Sequence, residues 1–128
     1  MQEIVSSTTS HTLVVDTTKN RIYCTITGQD NLPEITTFFH EWAEAMRLVS
    51  GKFTVLYDIS QAQTLTLDWV TKLTYILKVL LQKKLGGIAE VFPENIAEKI
   101  KSSEMKKIFT NRHEAEAWLD SQAGCHEG

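Results

Sequence analysis

The chain has 128 residues, 42% hydrophobic and 23% charged, with a formal net charge of −3. That length suits one domain around one core, and the composition excludes both a disordered chain and a disulfide scaffold. The small negative charge gives no general attraction to nucleic acid or anionic lipid, so neither is an expected partner.

The opening MQEIVSSTTSHT holds no basic stretch followed by an apolar one, and no later run approaches the length of a membrane span. The expectation is a cytoplasmic protein without integral membrane contact, in which residues 1–10 form a flexible N-terminus. HTLVVD and NRIYCTIT then read as two β-rich runs joined by the polar TTKN, an antiparallel hairpin. Cys24 alternates with Ile22 and Ile26 and therefore shares their buried face, whereas Cys125 falls in the tail SQAGCHEG. A bridge between them is not expected, and a lone buried thiol behaves as a small hydrophobe.

Over 33–49, Ile35, Phe38, Phe39, Trp42, Ala45, Met46 and Val49 recur at three- and four-residue steps, predicting a helix with Pro33 in its first turn. Ser50 and Gly51 end it. FTVLYDI follows as an apolar run suited to a central strand covered on both faces. A second helix is predicted over 67–84, with Thr66 as N-cap, Asp68 at the positive end of the dipole and an apolar stripe of Leu67, Val70, Leu73, Leu77, Leu80 and Leu81. Gly86 and Gly87 precede the strand IAEVF, Pro93 opens a short helix with Ile96, Ala97 and Ile100, and KKIFT reads as the last strand. Asn111, with Glu114 three residues later, caps a final helix carrying Ala115, Trp118 and Leu119.

The order ββαβαβαβα requires right-handed crossovers and hence a largely parallel, five-stranded sheet with an N-terminal antiparallel hairpin. The α/β domain is placed at 11–120, and 121–128 is read as a flexible C-terminal tail. Lys78, Lys83, Lys84, Lys99, Lys101, Lys106, Lys107 and Arg112 make the second half locally basic, a pattern read as solvated faces.

The run FTVLYDISQAQTLTLDWVTKL resembles the central strand, loop and following helix of the STAS, or SpoIIAA-like, family, founded on bacterial anti-sigma-factor antagonists. There a strand ending in Asp, an apolar residue and Ser leads into a helix that begins with Asp-Ser-Ser-Gly. Val55, Leu56, Asp58, Ile59 and Ser60 match the first part, and the element order matches over roughly 11–120. The resemblance implies a SpoIIAA-like fold and a regulatory domain that binds a protein partner. Thr66, Leu67, Asp68 and Trp69 stand where Asp-Ser-Ser-Gly would, so Asp68 replaces the serine that a partner kinase phosphorylates. A carboxylate carries less charge and fewer acceptor oxygens than phosphoserine. Thr64 and Thr66 remain alternative phosphoacceptors.

The residues themselves offer several chemistries. Asp58 and Asp68 could pair at the carboxyl end of a parallel strand, the basis for a small hydrolase or transferase, yet no third group supports that pair, and aspartates also cap turns. Ser60 lacks the glycines of a nucleophile elbow and reads as a turn hydroxyl. His11, His40, His113 and His126 are scattered. His40 and Glu44 share a helix face but leave a metal site incomplete, so no metal is expected. No phosphate loop or dinucleotide fingerprint is present, and no cofactor is implied. Trp42, Trp69, Trp118, Phe38, Phe39, Tyr57 and Tyr75 suit core packing; alternatively they would line a pocket in a carrier of an apolar small molecule or lipid. Trp69 lies off the Leu73, Leu77 and Leu80 side of its helix, where it would anchor a partner. The expectation is a non-catalytic, protein-binding domain, with a homodimer also admitted, whose contact surface gathers Asp58, Ser60, Thr66, Asp68 and Trp69 around the loop after the central strand.

Overall fold

A computed structural model describes residues 2–8, 11–27, 35–61, 71, 75, 78, 85–93 and 106–124. Six strands form one mixed sheet in sequential order: β1 (Gln2–Ser7), β2 (His11–Asp16), β3 (Arg21–Ile26), β4 (Thr54–Asp58), β5 (Gly87–Val91) and β6 (Lys106–Phe109). The pairs β1·β2 and β2·β3 are antiparallel, and β3·β4, β4·β5 and β5·β6 are parallel. The helix α1 (Ile35–Met46) packs on one face of the sheet and α2 (Arg112–Gly124) on the other.

The sequence predicts five strands and a flexible stretch over 1–10, and here the structure corrects it, because β1 occupies residues 2–7 as a sixth strand. Its residues are mostly exposed, with Ile4 71% accessible, so backbone pairing to β2 rather than apolar burial makes it a strand. A strand of that kind leaves little hydrophobic signal. Register slips between Ile4 and Ser6, leaving Val5 as an extra residue.

Within β4 the pleat sends Val55 and Tyr57 to the α1 side and Leu56 to the α2 side, and every residue of the strand is buried. That arrangement agrees with the nearly uninterrupted apolar run. On the α1 side Leu13, Val15, Ile22, Cys24 and Ile26 meet Phe38, Trp42 and Ala45. Phe39 departs from the predicted stripe: it points outward and is 37% exposed, since an adjacent position on a helix cannot share the inward direction of Phe38. On the other side Ala115 and Leu119 of α2 close over Tyr23, Leu56, Ala89 and Val91. The predicted cap of α2 is made by Asn111 Oδ1, which accepts the Glu114 N–H at 3.1 Å, and the helix runs to Gly124, beyond the predicted boundary.

The β2–β3 turn is stitched to the segment before β4. Asn20 adopts φ 56°, a left-handed conformation that Asn tolerates, and its Oδ1 accepts the Ser50 N–H at 2.8 Å while its carbonyl accepts the Thr54 N–H at 3.1 Å. After α1 the left-handed residue is Lys52, φ 64°, and not Gly51. The predicted short helix after Pro93 lies outside the described residues. Of the helix predicted over 67–84, Thr71, Tyr75 and Lys78 are described; they are helical, share one face by their spacing and are exposed.

Candidate functional site

Asp58 ends β4, and its carboxylate is used on both sides. Oδ1 accepts the backbone N–H of Ser60 at 3.1 Å and its hydroxyl at 2.6 Å, an Asx turn that sets the direction in which the chain leaves the strand. Oδ2 accepts from Nη1 of Arg112, the first residue of α2, at 3.2 Å. Of the five residues predicted for the contact surface, Asp58 and Ser60 are thus brought together; Thr66, Asp68 and Trp69 lie outside the described residues, as does Thr64.

Sequence reasoning placed Arg112 in a solvated basic face and missed its position. The same Nη1 also donates to Thr25 Oγ1 at 2.9 Å, and the guanidinium lies 5.8 Å from the centre of the Tyr23 ring. Three contacts from β3 and β4 therefore hold a side chain that is still 46% exposed. Beside it, between α2 and the outer strands, a cavity of about 610 Å³ opens among the described residues. Thr12, Val14, Tyr23, Thr25, Arg112 and His113 line it together with Asp16, Lys19 and Glu116.

Beside Asp16, Lys19 and Glu116 lies the most heavily bonded cluster among the described residues. Arg21, whose side chain has no exposed area, donates from Nε to Thr54 Oγ1 at 2.8 Å and from Nη1 to Glu116 at 2.5 Å and Asp120 at 2.9 Å. Tyr23 donates its hydroxyl to Glu116 Oε1 at 2.6 Å, and Lys19 approaches the same oxygen at 3.4 Å. Burial alone would raise the Glu116 pKa, but the Tyr23 hydrogen bond and the Arg21 and Lys19 charges bring it below the ordinary 4.5. Burial, aided by the bond to the Glu116 carboxylate, pushes the Tyr23 phenol up to about 12 against the pull of Arg21. No period in the sequence announces this network, because Arg21 reads as one polar residue of the run NRIYCTIT and its partners lie on a helix 95 and 99 positions away.

Other predicted chemistry resolves into packing. His11 is buried, stacks edge-on against Phe38 at 5.1 Å and joins Glu41 Oε1 through Nε2 at 2.6 Å, tying β2 to α1. His40 and Glu44 are both exposed on α1, and Glu44 pairs with Arg47 at 3.2 Å. Cys24 is fully buried, and burial, followed by the nearby Glu41 and Asp58 carboxylates, pushes its thiol well above the ordinary range. Trp42 packs on Tyr57 at 5.1 Å between ring centres and edge-on to Phe38 at 6.2 Å, within the core. Trp118 is half-buried against Phe109, with Lys107 about as far from both rings, at 5.9 and 6.0 Å. Cys125, His126 and Trp69 lie outside the described residues, and Tyr75 is 64% exposed.

Among the described residues no three His, Cys, Asp or Glu side chains gather into a metal-binding group, and no helix is long and apolar enough to cross a membrane. Comparison with protein-family models, with curated proteins and with solved structures finds no match.

Proposed function

We propose that this chain is a non-catalytic, STAS-like regulatory or scaffold domain that binds a protein partner through the loop following β4. The observation that carries this reading is the commitment of Asp58: Oδ1 shapes the Ser60 turn and Oδ2 holds Arg112. A carboxylate so engaged is a poor general base. It is well suited to give a loop a fixed point of departure, which lowers the ordering cost when that loop meets a partner. The burial of Phe38, Trp42 and Tyr57 in the core favours this reading over carriage of an apolar molecule. On it, Asp58 and Ser60 set the loop, and Thr66, Asp68 and Trp69 make the contact. Asp68 stands in place of a phosphorylated serine, so binding proceeds without a kinase.

A photocrosslinking residue at Gln61, exposed just beyond the turn, tests the proposal in cells of the source organism. The expected outcome is one discrete adduct that weakens in Asp68→Lys and weakens further in Trp69→Ala, because loss of an aromatic anchor costs about 2 kcal/mol or more of binding energy. A probe at exposed Glu44 on α1 serves as control. Equal adducts from both probe positions, or an adduct indifferent to both loop variants, would reject the surface.

A further inference from the structure

We infer that the groove between α2 and the outer strands binds a small hydroxylated monocarboxylic acid, with the carboxylate seated on Arg112. Arg112 Nη1 donates to Thr25 and Asp58, while Nε and Nη2 have no hydrogen-bonding partner among the described residues. Those two nitrogens form the side-on edge of the guanidinium, the pair of parallel donors that matches one carboxylate. Thr25, Asp58 and the Tyr23 ring fix the plane of the group before any ligand arrives, so little side-chain freedom is lost on binding. The residue borders the 610 Å³ cavity, a volume in the range of small-molecule sites, which are commonly about 300–1,000 Å³.

Charge selects the anion. Arg112 and Lys19 among the lining residues are balanced by Asp16 and Glu116, and Asp58 stands directly behind the guanidinium. A singly charged carboxylate meets one donor edge in such surroundings without the added repulsion that a phosphate dianion would meet from the three carboxylates. The body of the ligand then lies along Thr12 and toward Asp16 and Lys19, past hydroxyl, carboxylate and ammonium groups. Hydroxyls serve as donors and acceptors there, and an alkyl chain would desolvate those groups without replacing their bonds. This site shares the Asp58–Arg112 pair with the loop contact proposed above, but that contact does not use the groove, so Thr12→Val tests the groove alone.

Titration of the full chain, followed through its backbone amide NMR resonances, with gluconate, glucose and glucose 6-phosphate at matched ionic strength provides the test. Gluconate should move the Thr12, Thr25, Arg112 and His113 resonances in a saturable way, glucose should not, and glucose 6-phosphate should bind more weakly than gluconate. Arg112→Gln should weaken gluconate binding about tenfold or more, and Arg112→Lys, which keeps the charge but not the paired donors, should weaken it by several-fold. Thr12→Val preserves the shape of a half-buried strand residue and should cost a few-fold, which keeps the test decisive if Arg112 variants disturb the fold. No saturable response to gluconate, a response to glucose of equal size, tighter binding of glucose 6-phosphate, or binding indifferent to Arg112→Lys and Thr12→Val would each overturn the assignment.

Discussion

Arg21 on β3 and Glu116 on α2 meet at 2.5 Å although 95 residues separate them in the chain. Among the described residues of α2, Ala115 and Leu119 are the fully buried apolar ones, so this ion pair supplements a narrow apolar contact and fixes where the helix lies on the sheet. Arg21→Ala would remove one donor each from Thr54 Oγ1, Glu116 and Asp120, leaving Glu116 to Tyr23 and Lys19 and Asp120 to Lys19 alone. The expected loss is about 3 kcal/mol, toward the lower end for a broken buried pair because Glu116 and Asp120 keep partial access to water. Urea unfolding measures it, and Arg21→Met, which refills the volume, should lose less. Unfolding of Arg21→Ala at the wild-type midpoint would mean that the pair contributes nothing.

The same network sets two limits on stability as pH changes. The folded-state pKa of Glu116 is depressed, so its contribution is present above the unfolded value of 4.5 and disappears as pH falls through the lower folded value. The folded-state pKa of Tyr23 is raised, so its contribution is complete below the unfolded value of 10.0 and disappears as pH rises through about 12. Stability measured against pH should therefore decline at both ends. Tyr23→Phe should flatten the alkaline limb and Glu116→Gln the acid one, each relative to wild type. An alkaline limb unchanged by Tyr23→Phe would assign that decline to other groups.

Two glycines that punctuate the sequence alike should respond in opposite directions. A Cβ on Gly86 would sit 2.4 Å from the Lys52 carbonyl oxygen and 2.9 Å from its carbon, both backbone atoms, and the Gly86 N–H also donates to the Phe53 carbonyl at 2.6 Å. Gly86→Ala should cost about 1–3 kcal/mol through backbone displacement at the entry to β5. Gly51 has open space around its Cβ position and no left-handed φ, so Gly51→Ala should stabilise by about 0.4–1 kcal/mol. Thermal unfolding of the two variants gives the comparison, and equal shifts would show that the close approach at Gly86 relaxes freely.

Cys24 should be silent toward thiol reagents in the folded protein. It is completely buried, and its thiol is held protonated well beyond the ordinary range. In Cys125→Ser, whose remaining thiol is Cys24, reagent should be consumed only on addition of denaturant. Prompt labelling under native conditions would show that the α1 side of β3 opens readily.

The sequence carries the parallel half of the fold plainly. FTVLYDI is apolar apart from Thr54 and the closing Asp58 because β4 is covered on both faces, and Asn111 with Glu114 announces the start of α2 through a local cap. What escapes sequence reading depends on distant partners or on backbone alone. β1 shows no apolar alternation because it is held by its ladder, and Arg21, Tyr23 and Glu116 converge only when α2 crosses the sheet. The candidate site divides in the same way: the Asp58 and Ser60 turn is legible from adjacent residues, whereas Arg112 reaches it across 54 positions.

The extra residue in β1 has a consequence for how copies of this molecule meet in concentrated solution. Among the described residues the outer edge of β1 pairs with no strand, and a regular edge would act as a template for end-to-end growth of sheets. Val5 interrupts the even spacing on which such growth depends, so an incoming strand in register with Gln2 and Glu3 falls out of register beyond Ile4. One inserted residue is thereby expected to hinder fibrillar stacking without a proline or a lysine in the strand.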